Sequence, residues 1–137
     1  MTTADSRELA HAAALNAVEK KATDIVIIDM RKIAAFTDYM VLATGQNTRQ
    51  TKAIAEEVRR QLRDERGARP KRIEGDREGD WILLDFLDIV VHVFTPEARE
   101  FYRLDRLWRK APQERLEDDG SFVARVASPI LEDDSGD

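Results

Sequence analysis

Four short apolar runs limit what this chain can fold into: Ile25-Val26-Ile27-Ile28, Tyr39 to Thr44, Trp81 to Phe86 and Ile89 to Phe94. Each is too short for an ordinary helix, and their β-branched and aromatic content reads as strand. The first, set between Asp24 and Asp29, is apolar throughout, the pattern of a strand buried on both faces, and is expected at the sheet's centre. The last two are separated only by Leu87 and Asp88, which predicts a β-hairpin.

Helical patterns fill the spaces between these runs. Asp5 or Ser6 can cap a first helix reaching about Lys20, rich in alanine, with Leu9, Leu15 and Val18 as its larger apolar side chains and no clear buried side. Asn47 or Thr48 can cap a second helix to about Arg66, burying Ile54, Val58 and Leu62, with Gly67 as its C-cap and Pro70 forbidding continuation. A short strand at Lys71 to Glu74 and a polar loop from Gly75 to Asp80 lead into the hairpin. Thr95 then caps, Pro96 sits at the first helical position, and a last helix carries Phe101, Leu104 and Trp108 on one side. This order predicts a single α/β domain with a mixed sheet of about five strands and helices packed on it. At 137 residues the chain has material for one core.

Charge divides the chain at about residue 111. Residues 112–137 carry eight acids against Arg115 and Arg125, a net of −6, which leaves 19 of the 27 acids and 20 of the 22 bases in residues 1–111, a net of +1. The body of the domain, 1–111, is therefore near neutral, and 112–137 reads as an acidic tail, solvated and mobile, with an interaction role as the alternative. A neutral body lacks the basic excess of a protein that grips nucleic acid through phosphates, so direct DNA binding is not expected and any nucleic-acid partner would be reached indirectly or through a small patch. With no cysteine, disulfide and thiolate chemistry are excluded. A polar start and no apolar run near the roughly 20 residues of a membrane span point to a cytoplasmic protein with no membrane partner.

Residue types also restrict catalysis. Only His11 and His92 could serve a hydrolytic triad, and His92, alternating with Val91 and Val93, reads as a partly buried histidine satisfied by a neighbour. Two distant histidines give no zinc ligand set. Gly45, between a strand and a helix, could cradle a phosphate, but neither a P-loop nor a G-x-G-x-x-G turn surrounds it, and backbone freedom in the turn explains it more simply. Asp85 and Asp88 are three apart rather than the two that would aim both at one ion, and Asp88 reads as a turn residue. A small nucleotidyl- or phosphoryl-transfer domain using Gly45, Asp85 and Asp88 stays as an alternative, and so does a homodimeric adaptor.

The series Thr37-Asp38-Tyr39, Ala43-Thr44-Gly45 with Arg49 and Ala53-Ile54-Ala55, Glu74-Gly75, Trp81 with Asp85, His92-Val93-Phe94, and Arg99 through Trp108 resembles the Iojap family, the bacterial ribosomal silencing factors, over about residues 7–110. The resemblance implies a non-enzymatic translational repressor without cofactor or metal. It implies docking on the fourteenth protein of the large ribosomal subunit, where the small subunit would join, and a nucleotidyltransferase-like core without that enzyme's metal-binding acids. Three positions depart from the family pattern: Leu87 replaces a turn glycine, which argues against a positive φ there, Asp105 replaces a glutamate, and Gln50 a frequent histidine. The tail, 112–137, lies outside the resemblance.

The hairpin suits a docking role on its own chemistry. Trp81, Leu83 and Asp85 face one way and Ile82, Leu84 and Phe86 the other, so two apolar faces need cover, one from helices and one from the last helix with Trp108 or from a partner. A partner would bear on Trp81, Leu83 and Asp85, on Phe86 and Asp88 near the tip, and on Tyr102; the alternative for Trp81 is that it fills the core.

Overall fold

The structure, a computed structural model, describes residues 3–125 of the chain, with side chains from 6 to 124. Of the small apolar cluster Phe122, Val123, Val126, Ile130 and Leu131, which the sequence leaves either docked on the body or loose, the last three lie outside the described residues.

The first apolar run becomes β1 (Thr23–Asp29) and the second β2 (Tyr39–Thr44). The other two form β4 (Trp81–Asp85) and β5 (Ile89–Phe94), preceded by β3 (Arg72–Glu74). Two more strands, β6 (Gln113–Leu116) and β7 (Phe122–Arg125), bring the mixed sheet to seven in the order β3-β4-β5-β2-β1-β6-β7. Only β2 and β5 pair in parallel among these strands; all other neighbours are antiparallel. The centre of the sheet is β2, with β1 beside it rather than in the middle.

The extra strands raise the expected count of about five to seven, and β6 and β7 stand where the sequence reads an acidic tail from residue 112. The edge of β1 would otherwise leave backbone donors and acceptors open. Instead β6 pairs with it, Ile27 opposite Glu114, and α1 (Thr3–Val18) holds the new strand from above. His11 Nε2 lies 2.6 Å from Glu114 Oε1, Arg7 donates to the same carboxylate, and the His11 ring stacks on Phe122 at 4.1 Å. Helix α1 begins ahead of the expected cap, and Ser6, inside it, donates to Asp38 at 2.8 Å. Ala10, Ala13, Ala14 and Ala17, at i, i+3, i+4 and i+7, form its buried stripe, while Leu15 and Val18 are 44% exposed. Alanine lets the helix lie close to the sheet and to its neighbour α2 (Thr48–Arg66).

Helix α2 starts as its sequence directs: Asn47 accepts from the Gln50 N–H, and Gly67 closes the other end in the left-handed conformation. Gly45, before it, has no positive φ; a Cβ there would stand 3.0 Å from Thr51 Cγ2 and 3.1 Å from Ile54 Cδ1, so the glycine supplies space rather than backbone freedom. Gly75 is required on both counts, with φ 75° and the Trp81 carbonyl oxygen 1.9 Å from where a Cβ would stand.

The sheet separates two cores. Ile27, Val41, Ile82, Leu84, Val91 and Val93 pack under α1 and α2. On the other face, Val26, Ile28, Met40, Leu42 and Phe94 are covered by the C-terminal helical segment. The expected single last helix is broken there: α3 (Pro96–Tyr102) and α4 (Leu104–Leu107) meet at Arg103, whose φ of 52° ends the first and turns the chain. Phe101 consequently points outward, 78% exposed, while Leu104 and Trp108 pack on the core. Among the described residues, no helix is long and apolar enough to cross a membrane.

Candidate docking surface

Covering by α3 and α4 is incomplete over the hairpin. Along β4, Ile82 and Leu84 are buried toward the long helices, whereas Trp81, Leu83 and Asp85 are half-buried on the other face. Trp81 occupies the boundary between core and solvent. Its indole Nε1 donates to His92 Nδ1 at 2.9 Å, and its ring lies 5.4 Å from Phe94 and 4.4 Å from Tyr102, centroid to centroid. Tyr102, 49% exposed, meets Phe101 edge-on at 5.0 Å, so an aromatic row runs from Trp81 out to solvent. Trp81 thus combines the two roles set against each other above: one side of the ring is core, and the face as a whole is open.

His92 is the satisfied histidine expected from its position. Burial pushes its imidazole down to about 4 against a weaker opposing pull from Asp85, so the ring is neutral near pH 7. Because Nδ1 accepts from Trp81, the ring proton is assigned to Nε2. A neutral ring that accepts from the indole fixes Trp81 in place.

At the hairpin tip three expectations change. Leu87 does take positive φ, 75°, which its type argued against. The turn is secured around it: the Asp85 carboxylate accepts from the Leu87 N–H at 2.9 Å, and the Phe86 N–H donates to the Ile89 carbonyl at 2.9 Å. The turn-forming carboxylate is therefore that of Asp85 and not of Asp88. Asp85 also lies 3.4 Å from Arg72 on β3, so its charge is partly answered within the chain. Asp88 acts through its backbone carbonyl, which accepts from Asp38 N–H and Thr37 Oγ1, both at 3.0 Å, tying the tip to the loop after β1. Phe86, the third change, is 7% exposed and packs on the α1 and α2 side rather than on the open face.

Sequence reasoning missed several surface residues. Phe36, 62% exposed, immediately precedes Thr37 and so sits by the tip, where Leu87 is 54% exposed. A phenylalanine among the loop residues Lys32 to Asp38, outside any strand or helix pattern, was the available signal. Together Phe36, Leu87, Leu83, Trp81 and Tyr102 make a discontinuous apolar strip with Asp85 and Asp88 along it, the composition of an interface core and rim. Among the described residues, no group of three or more His, Asp or Glu side chains could hold a metal ion.

Comparison with known proteins agrees with the motif series. The profile of the family described as "Ribosomal silencing factor during starvation" matches residues 3–134, running past the 7–110 span of the motifs and across β6 and β7. The chain is 42% identical over 94 residues to Ribosomal silencing factor RsfS of Bacillus subtilis, covering 69% of this chain and 79% of that one. It is 34% identical over 96 residues to Protein Iojap, chloroplastic, of Zea mays, covering 69% of this chain and 41% of that one. A crystal structure of a Chromobacterium violaceum protein matches with a TM-score of 0.69 at 35% identity, over 79% of this chain and 87% of that one. Fold, motif order and the profile match over residues 3–134 converge, and the chain belongs to the family of ribosomal silencing factors.

Proposed function

We propose that this protein represses translation in the cytoplasm by docking on the fourteenth protein of the large ribosomal subunit, so that the small subunit cannot join, and that it does so without catalysis. The observation that carries this reading is the open hairpin face, where Trp81, Leu83 and Tyr102 leave apolar surface uncovered beside the acids Asp85 and Asp88. A basic ribosomal protein offers the matching charge. Against the transferase alternative stands the Asp85 carboxylate, which accepts from the Leu87 N–H and lies 3.4 Å from Arg72.

Sedimentation with purified subunits tests the proposal. The protein should travel with the large subunit and not with the small one. Tyr102→Ala removes an exposed ring, so the thermal midpoint should hardly move while binding weakens by about 2 kcal/mol, roughly 25-fold. Equal binding to both subunits, or wild-type affinity in Tyr102→Ala together with Leu83→Ala, would overturn it. A second copy of the chain seated on the same strip would show as a dimer that large subunits do not dissociate.

A further inference from the structure

Beside the aromatic row, α3 and α4 wall an open cleft of about 730 Å³ into which Arg99, Arg103, Arg106 and Arg109 all face. The four arginines have different duties. Arg99 is structural: its guanidinium donates to both Asp105 carboxylate oxygens, at 3.1 and 2.6 Å, to Thr44 Oγ1 at 2.8 Å and to the Asp24 carbonyl. These bonds pin the helical segment over the ends of β1 and β2. Arg103 is paired with Glu100 at 2.7 Å. Arg106 and Arg109 have no carboxylate partner among the described residues, and the acid across the cleft, Asp24, lies 3.8 Å from Arg115.

The contrast with α2 is informative. There Arg59, Arg60 and Arg63 each reach a carboxylate on their own helix, so a run of arginines is neutralised internally. In the cleft, with Arg99 and Arg103 answered by carboxylates, Arg106 and Arg109 meet none among the described residues, and Arg109 Nη1 reaches only the Arg106 carbonyl, at 3.4 Å. A guanidinium fork is suited to the paired oxygens of a phosphate, and the open cleft admits a continuing strand.

We propose that Arg106 and Arg109 contact the phosphodiester backbone of ribosomal RNA next to the protein docking site. This rests on the large-subunit reading above, and the position supports it: Tyr102, whose ring meets Trp81 at a tilt, belongs to the same helix as Arg99, so a subunit seated on the hairpin face brings its surface to the cleft. Ribosomal surface is largely RNA. The proposal also fits the near-neutral body of the chain, because two phosphates make a local contact and not a general affinity for nucleic acid.

The test is the salt dependence of large-subunit binding by the full chain. Each neutralised phosphate contributes about 0.7 to 0.9 to the slope of log affinity against log salt, so Arg106→Ala with Arg109→Ala should reduce the slope by about 1.4 to 1.8 and weaken binding most at low salt. The thermal midpoint should be unchanged, and Arg106→Lys with Arg109→Lys should restore most of the slope. An unaltered slope in the alanine pair overturns the proposal while leaving the docking face intact. Micromolar, saturable binding of pyrophosphate to the free chain, abolished in the alanine pair, would also overturn it, making the cleft a small-anion site. Failure of the wild type to bind the large subunit at all would instead remove the docking reading on which this one stands.

Discussion

Trp81 and His92 show how one hydrogen bond can set both stability and surface. His92 is 5% exposed and accepts from the indole, so protonating it means both charging a buried ring and losing the Trp81 contact. Its pKa in the fold, about 4, lies below the unfolded value near 6.5. Protons therefore favour the unfolded chain: the contribution is complete above about pH 6.5 and is lost as pH falls toward 4, by about 1.4 kcal/mol per unit within that window. The carboxylates Asp29 and Glu114, held below their usual range chiefly by the Arg31 hydrogen bond and by the His11 and Arg7 hydrogen bonds overcoming burial, are lost only at lower pH. Chemical denaturation at pH 7.0, 6.0 and 5.0 should show stability declining in the wild type and a distinctly flatter profile in His92→Gln, which keeps an acceptor for the indole. Parallel profiles would show that His92 does not titrate with folding.

The elements whose ends carry strong local chemistry were the legible ones. Asn47, Gly67, Thr95 and Pro96 stand where the caps of α2 and α3 are found, and the hairpin lies where its two apolar runs put it. What the sequence hid depended on backbone conformations unusual for their residues. Arg103 at φ 52° splits a helix that periodicity would continue, and Leu87 at φ 75° occupies a place suited to glycine. Likewise, the alanine stripe of α1 carried no directional signal until the sheet beneath it was known. Left-handed backbone costs a leucine about 1–2 kcal/mol, partly offset by the smaller entropy it loses on folding compared with glycine. Leu87→Gly should therefore raise stability by up to about 1 kcal/mol, read in a thermal scan, while weakening large-subunit binding because an exposed apolar side chain of the strip is gone. A destabilised Leu87→Gly would mean that the Leu87 side chain contributes more to the fold than its exposure implies.

At the scale of the whole molecule, the boundary drawn by charge is not the boundary drawn by the backbone. Composition changes after Lys110, yet Ala111 is 1% exposed and Asp29 N–H donates to the Pro112 carbonyl at 2.8 Å, so the chain passes directly from α4 into the sheet. The acidic character that suggested a tail is used within it: Glu114 is the group that Arg7 and His11 hold. A chain ending at Ala111 would lose that carboxylate, worth about 1 kcal/mol at this exposure, and the partial burial of Leu116 and Phe122, worth about 1 kcal/mol each. It would also uncover the β1 edge, whose apolar residues Val26, Ile27 and Ile28 offer a template for another strand. The truncated protein is expected to melt about 10 °C lower and to self-associate as concentration rises, both measurable by scanning calorimetry and light scattering. Because the hairpin face and the arginine cleft lie outside the deleted segment, large-subunit binding should persist at temperatures where the truncated chain is folded. An unchanged melting temperature with a monodisperse monomer would restore 112–137 to the status of a dispensable tail; loss of binding in a folded, monomeric truncation would place part of the ribosome contact on β6 or beyond.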